Sequence, residues 1–310
     1  MNNRKISTTK IAEICGVSQG TVDRALNGRK GISPKTKEKI LRVAQEYGYR
    51  PNIHASTIAG GKSRLIGVIV FDLRNQYFSD LLTCIENCCA SVGYSTVVMF
   101  TDKEHRKEIE CIQNMLHMSV DGIVLCPINA GEEYENFLLS SGIPIVTFGN
   151  RLSRIPYLGI DNALAMENAV AHILEAGYRT LIYVKPELKQ HNSFAQTERL
   201  NAFVAACTRG SIPYVITDLA NAEREVERNL PCALICPTDV YAIKLLSAAQ
   251  KHRVGIMGFD NIRIIDELGL ILDSVSYDVP LTAKAAVDYI AGGVPILDPI
   301  PHKIIKRGSV

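Results

Sequence analysis

The chain has 310 residues, 47% hydrophobic and 21% charged, with 34 Lys/Arg against 32 Asp/Glu. It is long enough for more than one domain and rich enough in apolar residues for a sizeable core, which excludes a disordered or collagen-like chain. The charge is unevenly placed: residues 1–62 hold twelve Lys/Arg and four Asp/Glu, a net of +8, which leaves the remainder at −6. A basic end on a mildly acidic body suits capture of a polyanion by that end, although lysines kept for solubility give the same imbalance.

The first elements are short helices. Thr8 to Asn27, TTKIAEICGVSQGTVDRALN, reads as a helix, a tight turn at Cys15-Gly16-Val17 and a second helix opened by Ser18. Gly16 supplies a turn conformation that other residues reach only with strain. Ser18 is an N-cap type whose oxygen can satisfy a free backbone amide. Ser33-Pro34 is a second start signal, an N-cap followed by proline at the first helical position, and the helix from Lys35 to Tyr47 ends at Gly48. Ile11, Ile14, Val17, Val22 and Leu26 are spaced to share one small core, to which the third helix adds Ile40, Leu41 and Ala44. Two short helices joined through a glycine turn make a helix-turn-helix, which lays its second helix in the DNA major groove.

From about Arg64 the pattern changes. Strands are expected at 65–70, 96–100, 122–126 and 145–148, alternating with helices at 77–92, 104–118 and 132–140. The alternation then restarts, with helices at 163–176, 196–208 and 241–250 and strands at 180–184, 233–236 and 254–257. Elements of these lengths imply doubly wound parallel sheets. The fold class expected is thus a small all-α helix-turn-helix head on an α/β body of two such lobes. Ligands in such sheets sit outside the carboxyl ends of the strands.

Other chemistry is scarce. Gly60-Gly61-Lys62-Ser63 looks like the end of a phosphate-binding loop, but that motif needs a glycine five positions before the Gly-Lys pair, where Ser56 stands. Of nine cysteines, Cys84, Cys88 and Cys89 share one expected helix and Cys232 and Cys236 bracket a strand, neither in a common zinc spacing. Free cysteines of this kind are small buried hydrophobes. The odd cysteine count and the polar, basic start without a secretory signal point to a reducing cytoplasm. No apolar run reaches membrane-spanning length. The seven histidines form no evident nucleophile–base arrangement. No metal and no cofactor is expected.

The head resembles the lactose-repressor (LacI/GalR) family of bacterial transcription regulators. The matching residues are Ile11-Ala12-Glu13, Gly16-Val17-Ser18, Thr21-Val22, Arg24, Leu26-Asn27, Ser33, Thr36, Ile40 and Gly48-Tyr49-Arg50-Pro51-Asn52. The likeness continues through Ile66-Gly67-Val68, Asn75-Gln76-Tyr77-Phe78, Val120-Asp121-Gly122-Ile123, Gly142-Ile143-Pro144, Gly159-Ile160-Asp161-Asn162 and Gly258-Phe259-Asp260. It closes on Lys306 to Ser309 as the family's last strand. The body thereby resembles the family's effector-binding core and the type I periplasmic sugar-binding proteins.

The resemblance implies a domain plan. Residues 1–51 form the head, 52–63 a hinge helix, and 64–310 an effector-binding and dimerisation body. The lobes are expected at about 64–159 with 279–299, and about 160–278 with 300–310. DNA contacts are implied for Ser7, Thr8, Ser18, Gln19, Gly20, Thr21, Asp23, Arg24, Asn27, Ser33, Thr36, Tyr49, Asn52, Ala55 and Ile58. Effector contacts are implied for Tyr77, Phe78, Arg199, Thr238, Asp260 and Tyr277. Several positions depart from the family. Gly20 removes a base-reading side chain and shifts weight to Gln19. Asp23 stands in place of Ser, and Ile58 occupies the position of the leucine that wedges into the minor groove. In the body, Gly149 stands where sugar-responsive members have Asp, Thr238 where many have Asn, Leu219 where an aromatic is frequent, and Tyr277 where Gln is common.

The expectation is a non-enzymatic, sequence-specific transcriptional regulator. It would be a repressor that binds a palindromic operator in double-stranded DNA as a homodimer, because one head reads only a half-site. The helix near 77–92 is a candidate interface. The chain stops after its last strand without the extra heptad helix of tetrameric relatives, so a dimer is expected. The effector expected in the inter-lobe cleft is a small carbohydrate, either a sugar or a sugar phosphate. Alternatives are a nucleoside- or purine-responsive regulator, or a ligand-binding module with weak DNA specificity. A transport protein would share the body but has no use for the head. An enzyme on this fold would need a nucleophile, metal or dinucleotide motif that the sequence lacks.

Overall fold

The computed structural model describes residues 6–26, 28–49, 62–187, 193–296 and 299–310. The chain divides into two compact units, Met1–Ser63 and Arg64–Val310.

The first unit holds α1 (Thr8–Cys15), α2 (Gln19–Leu26) and α3 (Pro34–Glu46). Ser7 caps α1 by accepting from the Lys10 amide, and Gly16 ends it with φ +68. Ser18 Oγ accepts from the Thr21 amide, and Ser33 caps α3 by accepting from that of Thr36. Ile11, Ala12, Cys15, Val22, Ala25, Ile40, Val43 and Ala44 form the core. Two expected members are outside it: Ile14 is 37% exposed and Leu41 43%. On an eight-residue helix the buried stripe runs through 11, 12 and 15, so position 14 turns to the other side. The same geometry puts Val43, not Leu41, inward on α3.

The second unit contains two sheets. The first has strand order β2-β1-β3-β4-β5, all parallel, from β1 (Leu65–Val70), β2 (Ser95–Phe100), β3 (Gly122–Leu125), β4 (Ile145–Phe148) and β5 (Tyr157–Leu158). The second has order β11-β10-β9-β8-β6-β7, from β6 (Leu181–Val184), β7 (Tyr214–Thr217), β8 (Ala233–Ile235), β9 (Gly255–Phe259), β10 (Asp273–Tyr277) and β11 (His302–Ile305). Among the described strands only β11 runs antiparallel to its neighbour. The final strand thus precedes Lys306–Ser309. That stretch is instead held by Asp273, whose Oδ1 accepts from the amides of Arg307, Gly308 and Ser309. Central strands are buried along their whole length, which is why they read as continuous apolar runs.

The helices, in chain order, are α4 (Gln76–Ser91), α5 (His105–His117), α6 (Glu132–Ser140), α7 (Asn162–Glu175), α8 (Phe194–Arg209), α9 (Ala222–Arg228), α10 (Asp239–His252), α11 (Ile264–Glu267) and α12 (Val279–Gly292). The chain leaves the first sheet after β5 and enters the second through α7. It returns after β10 as α12, which packs along α4, and crosses again to β11. The β5, β7 and β10 strands and the helices α9, α11 and α12 escape the sequence pattern, because they are short or carry too few polar residues to show a period. Seven of the nine cysteines are buried, Cys84 and Cys88 only partly, and all are free. No helix among the described residues is long and apolar enough to cross a membrane.

Candidate functional site

In the head, Ser18, Gln19, Gly20, Asp23 and Arg24 are exposed on or beside α2, opposite the buried Val22 and Ala25. Thr21 is half-buried and bonded to Ser18 through their hydroxyls, 2.9 Å apart. Gln19 Nε2 donates to Thr8 Oγ1 at 3.1 Å, which ties the start of α2 to the start of α1. Ser7 and Ser33 are exposed caps, and Thr36 and Tyr49 are half-buried. Asp23 is not a bare negative charge, because Arg29 Nη1 lies 3.2 Å from its Oδ2. Tyr49 sits near enough for burial, and then the Asp23 charge, to push its phenol pKa up. Asn27, Asn52, Ala55 and Ile58 lie outside the described residues.

The body contains a cavity of about 270 Å³ between its two sheets, near the lower end of small-molecule pockets. Its walls come from the carboxyl ends of strands in both lobes. Phe71 and Asp72 follow β1, Lys103 follows β2, Cys126 follows β3 and Gly149 follows β4. From the other lobe come Glu187 after β6, Thr238 after β8, Asp260 after β9 and Tyr277 at the end of β10. All six expected effector residues, Tyr77, Phe78, Arg199, Thr238, Asp260 and Tyr277, line this one cavity.

Asp260 is its polar centre. Tyr277 donates its hydroxyl to Oδ1, and Asn75 donates Nδ2 to Oδ2 at 2.6 Å. Burial pushes the Asp260 carboxyl pKa up, against the Arg199 charge and these two bonds. Its backbone has φ +102, a conformation a non-glycine residue holds only where its surroundings impose it.

Arg199 is 5% exposed. Its Nε donates to Asn162 Oδ1 at 2.9 Å and its Nη1 to the Pro237 carbonyl at 3.1 Å, while the guanidinium lies 4.3 Å from the Phe259 ring centroid. Arg199 is thus a buried cation held in place by fixed acceptors, not a surface charge. Tyr77 meets Tyr277 edge-on at 5.1 Å, and Phe78 meets Phe71 at 4.7 Å. These aromatics are core and wall at once.

The departure at Gly149 has a local cause. Gly149 has φ +71, and a Cβ there would lie 3.1 Å from Cys126 Sγ. A side chain there would be held left-handed and would press on the Cys126 thiol, which must give by a few tenths of an ångström.

Several lining residues have no mark in the sequence. Asn75 sits in a quoted motif with no role marked for it; it caps α4 by accepting from the Tyr77 amide and reaches the cavity with its Nδ2. Phe71, Lys103, Asn150, Gln196 and Tyr241 reach the cavity through loop paths and helix rotations that no short-range pattern encodes. Among the described residues one group has metal-ligand geometry, Glu223, Glu227 and His252. It lies on the surface, and Glu223 is already bonded to Lys251 and His252.

Comparison with known proteins agrees with these two units. Residues 9–52 match the lacI family of bacterial regulatory proteins, residues 63–230 the periplasmic binding proteins and sugar binding domain of the LacI family, and residues 170–310 a periplasmic binding protein-like domain. Catabolite control protein A of Priestia megaterium is 28% identical over 325 aligned positions, covering 96% of this chain and 97% of that protein. The homologue of that name in Staphylococcus epidermidis is 27% identical with the same coverage. Among solved structures, the lac repressor dimer bound to operator and an anti-inducer superposes with a TM-score of 0.83 at 20% identity, covering 99% of both chains. The regulator CelR in complex with cellobiose gives 0.66 at 20% identity, covering 99% of this chain and all of that one. A head match, and a body match over more than half of the chain, place it in one group: the chain belongs to the lactose-repressor (LacI/GalR) family, non-enzymatic DNA-binding transcription regulators with a periplasmic-binding-like body.

Proposed function

We propose that this regulator is a repressor which binds a palindromic operator as a homodimer and is controlled by a sugar or sugar phosphate in the inter-lobe cleft. The observation that carries the reading is the Asn75–Asp260 bond across the cavity. A ligand there must touch both lobes and compete with a bond between them, so its binding shifts the equilibrium between lobe arrangements by its differential affinity for them. Arg199, Asp260, Thr238 and Tyr277 offer the polar contacts, and Tyr77 and Phe78 the flat walls that suit a sugar ring.

In the head, Gln19, Thr21, Arg24 and Asn27 are assigned to base edges. Ser7, Thr8, Ser18, Gly20, Ser33, Thr36 and Tyr49 are assigned to the backbone, with Asp23 at the margin. The assignments of Asn27 to a base edge and of Asn52, Ala55 and Ile58 to the minor groove rest on the family resemblance alone.

The dimer reading has a surface to work with. The exposed positions of α4 are mostly polar (Thr83, Glu86, Asn87), because its apolar face is turned inward. Strand β2, by contrast, is an edge strand without a charged residue, and it exposes Val98 and Phe100. Proteins normally cover such an edge.

The test is selection of bound fragments from sheared source DNA by the full chain, with sedimentation of the protein–DNA complex. Enriched palindromes carrying two copies support the proposal. Enrichment of single half-sites, or monomers at micromolar concentration, would overturn the dimer. A calorimetric screen in which purines bind and no sugar or sugar phosphate does would overturn the effector class.

A further inference from the structure

The turn after β2 is unusual. Asp102 and Lys103 are consecutive non-glycine residues in the left-handed region, with φ +53 and +64. That conformation is unfavourable for L-residues and persists where the surroundings impose it. At this turn Lys103 becomes a lining residue of the cleft, half-buried, with its ammonium 4.9 Å from the Phe71 ring centroid.

The neighbouring carboxylates are already engaged. Asp72 accepts from the Arg74 amide and guanidinium at 2.9 and 2.6 Å, and Asp102 accepts from Lys107. Asp260 is held by Asn75 and Tyr277, and Glu187, across the cavity, has a partner of its own. Among the described residues no carboxylate lies within 4 Å of the Lys103 ammonium; Asp72, already bonded to Arg74, feels its charge only at longer range. A partly desolvated cation resting on a ring is stabilised far less than one paired with an anion.

The same cavity holds an acceptor without a donor. The Gln196 Oε1 is buried and has no hydrogen-bond partner among the described residues. A buried acceptor left unmatched costs free energy until a donor arrives. The floor, Cys126 and Gly149, presents no carboxylate.

We infer that the effector is a hydroxyl-bearing anion, a small sugar carrying a phosphate or a carboxylate, whose charge is received by Lys103 and whose hydroxyl donates to Gln196. This rests on the reading of the cleft as the effector site. A neutral sugar would satisfy Gln196 alone, and inorganic phosphate Lys103 alone.

The test is titration calorimetry of the full chain with matched sets: neutral hexoses and pentoses, their phosphates, their uronic acids, and inorganic phosphate. It is repeated on Lys103→Gln and Lys103→Arg after each variant is shown to melt as the parent does. One charged sugar should bind roughly ten- to a hundred-fold more tightly than its neutral parent, the range of one charge-assisted hydrogen bond. Lys103→Gln should erase that difference, and Lys103→Arg should keep most of it. The phosphate and uronate arms identify which anion it is. Neutral sugars that bind as tightly as their charged forms, or a difference that survives Lys103→Gln, would overturn the inference while leaving the cleft reading intact. Failure of every sugar to bind would overturn both. Inorganic phosphate as tight as any sugar phosphate would remove the role given to Gln196.

Discussion

Asn75 and Asp260 lie 185 residues apart in sequence and in different lobes, yet their side chains meet at 2.6 Å over the cleft. Around them Gln76 Oε1 accepts from the Ile264 amide at 2.8 Å, and Tyr77 stacks edge-on against Tyr277. The lobe contact therefore shares its residues with the cavity wall, which couples occupancy of the cavity to lobe arrangement.

Asn75→Ala should leave Asp260 buried with one donor fewer. Loss of a hydrogen bond to a buried charged group costs about 2 kcal/mol. Urea unfolding should show a loss of that size, and small-angle scattering a more open body. An unchanged midpoint and radius would mean that the bond does not hold the lobes.

Asp239 and Asp260 both have carboxyl pKa values above the ordinary range. For Asp239, burial and then the Asp260 charge outweigh the bonds from Ser274 and the Ile262 amide. A carboxyl whose pKa is higher folded than unfolded binds its proton more tightly in the native state. Its contribution is then complete below the unfolded value, near 4, and is lost as pH rises through the raised value. Asp239→Asn removes one such group. The Asn oxygen can accept from Ile262 while its amide donates to Ser274 Oγ. The variant should gain on the parent as pH rises above about 4, read from urea midpoints at several pH values. Parallel curves would contradict this.

Asp23→Ala should free Arg29 for the DNA backbone. Each added phosphate contact steepens the dependence of log K on log salt by about 0.9. Anisotropy titrations on non-specific duplex should show tighter binding at low salt and a slope steeper by about one. A shallower slope would show that Asp23 and Arg29 do not act as a pair.

Gly149→Asp should destabilise the body by about 1–2 kcal/mol, because an L-residue there is held left-handed. Part of the loss should come from the Cys126 contact. In a double-mutant cycle with Cys126→Ala the two changes should be less than additive. Full additivity would assign the whole cost to the backbone.

The sequence by itself determined the head and the architecture. Gly16, Ser18 and Ser33-Pro34 act within one helical turn of where they stand, so their consequences are local and appear in the order of residues. The alternation of buried strands and amphipathic helices fixed the α/β class for the same reason. Individual core positions on short helices were less legible: Ile14 and Leu41 face outward because eight to thirteen residues give too few turns to fix the phase of the stripe.

The cleft was half legible. Asp260 stands in a quoted motif and Arg199 is placed by the family resemblance, whereas nothing in the sequence marks Lys103, Gln196 or the role of Asn75. Only the tertiary structure decided those, because a cavity wall is assembled from the ends of strands far apart in sequence. Which side chains reach it depends on loop backbone geometry, such as the left-handed pair at Asp102 and Lys103. Which of them keep unmatched charge or hydrogen-bonding capacity depends on what every neighbour has already bonded.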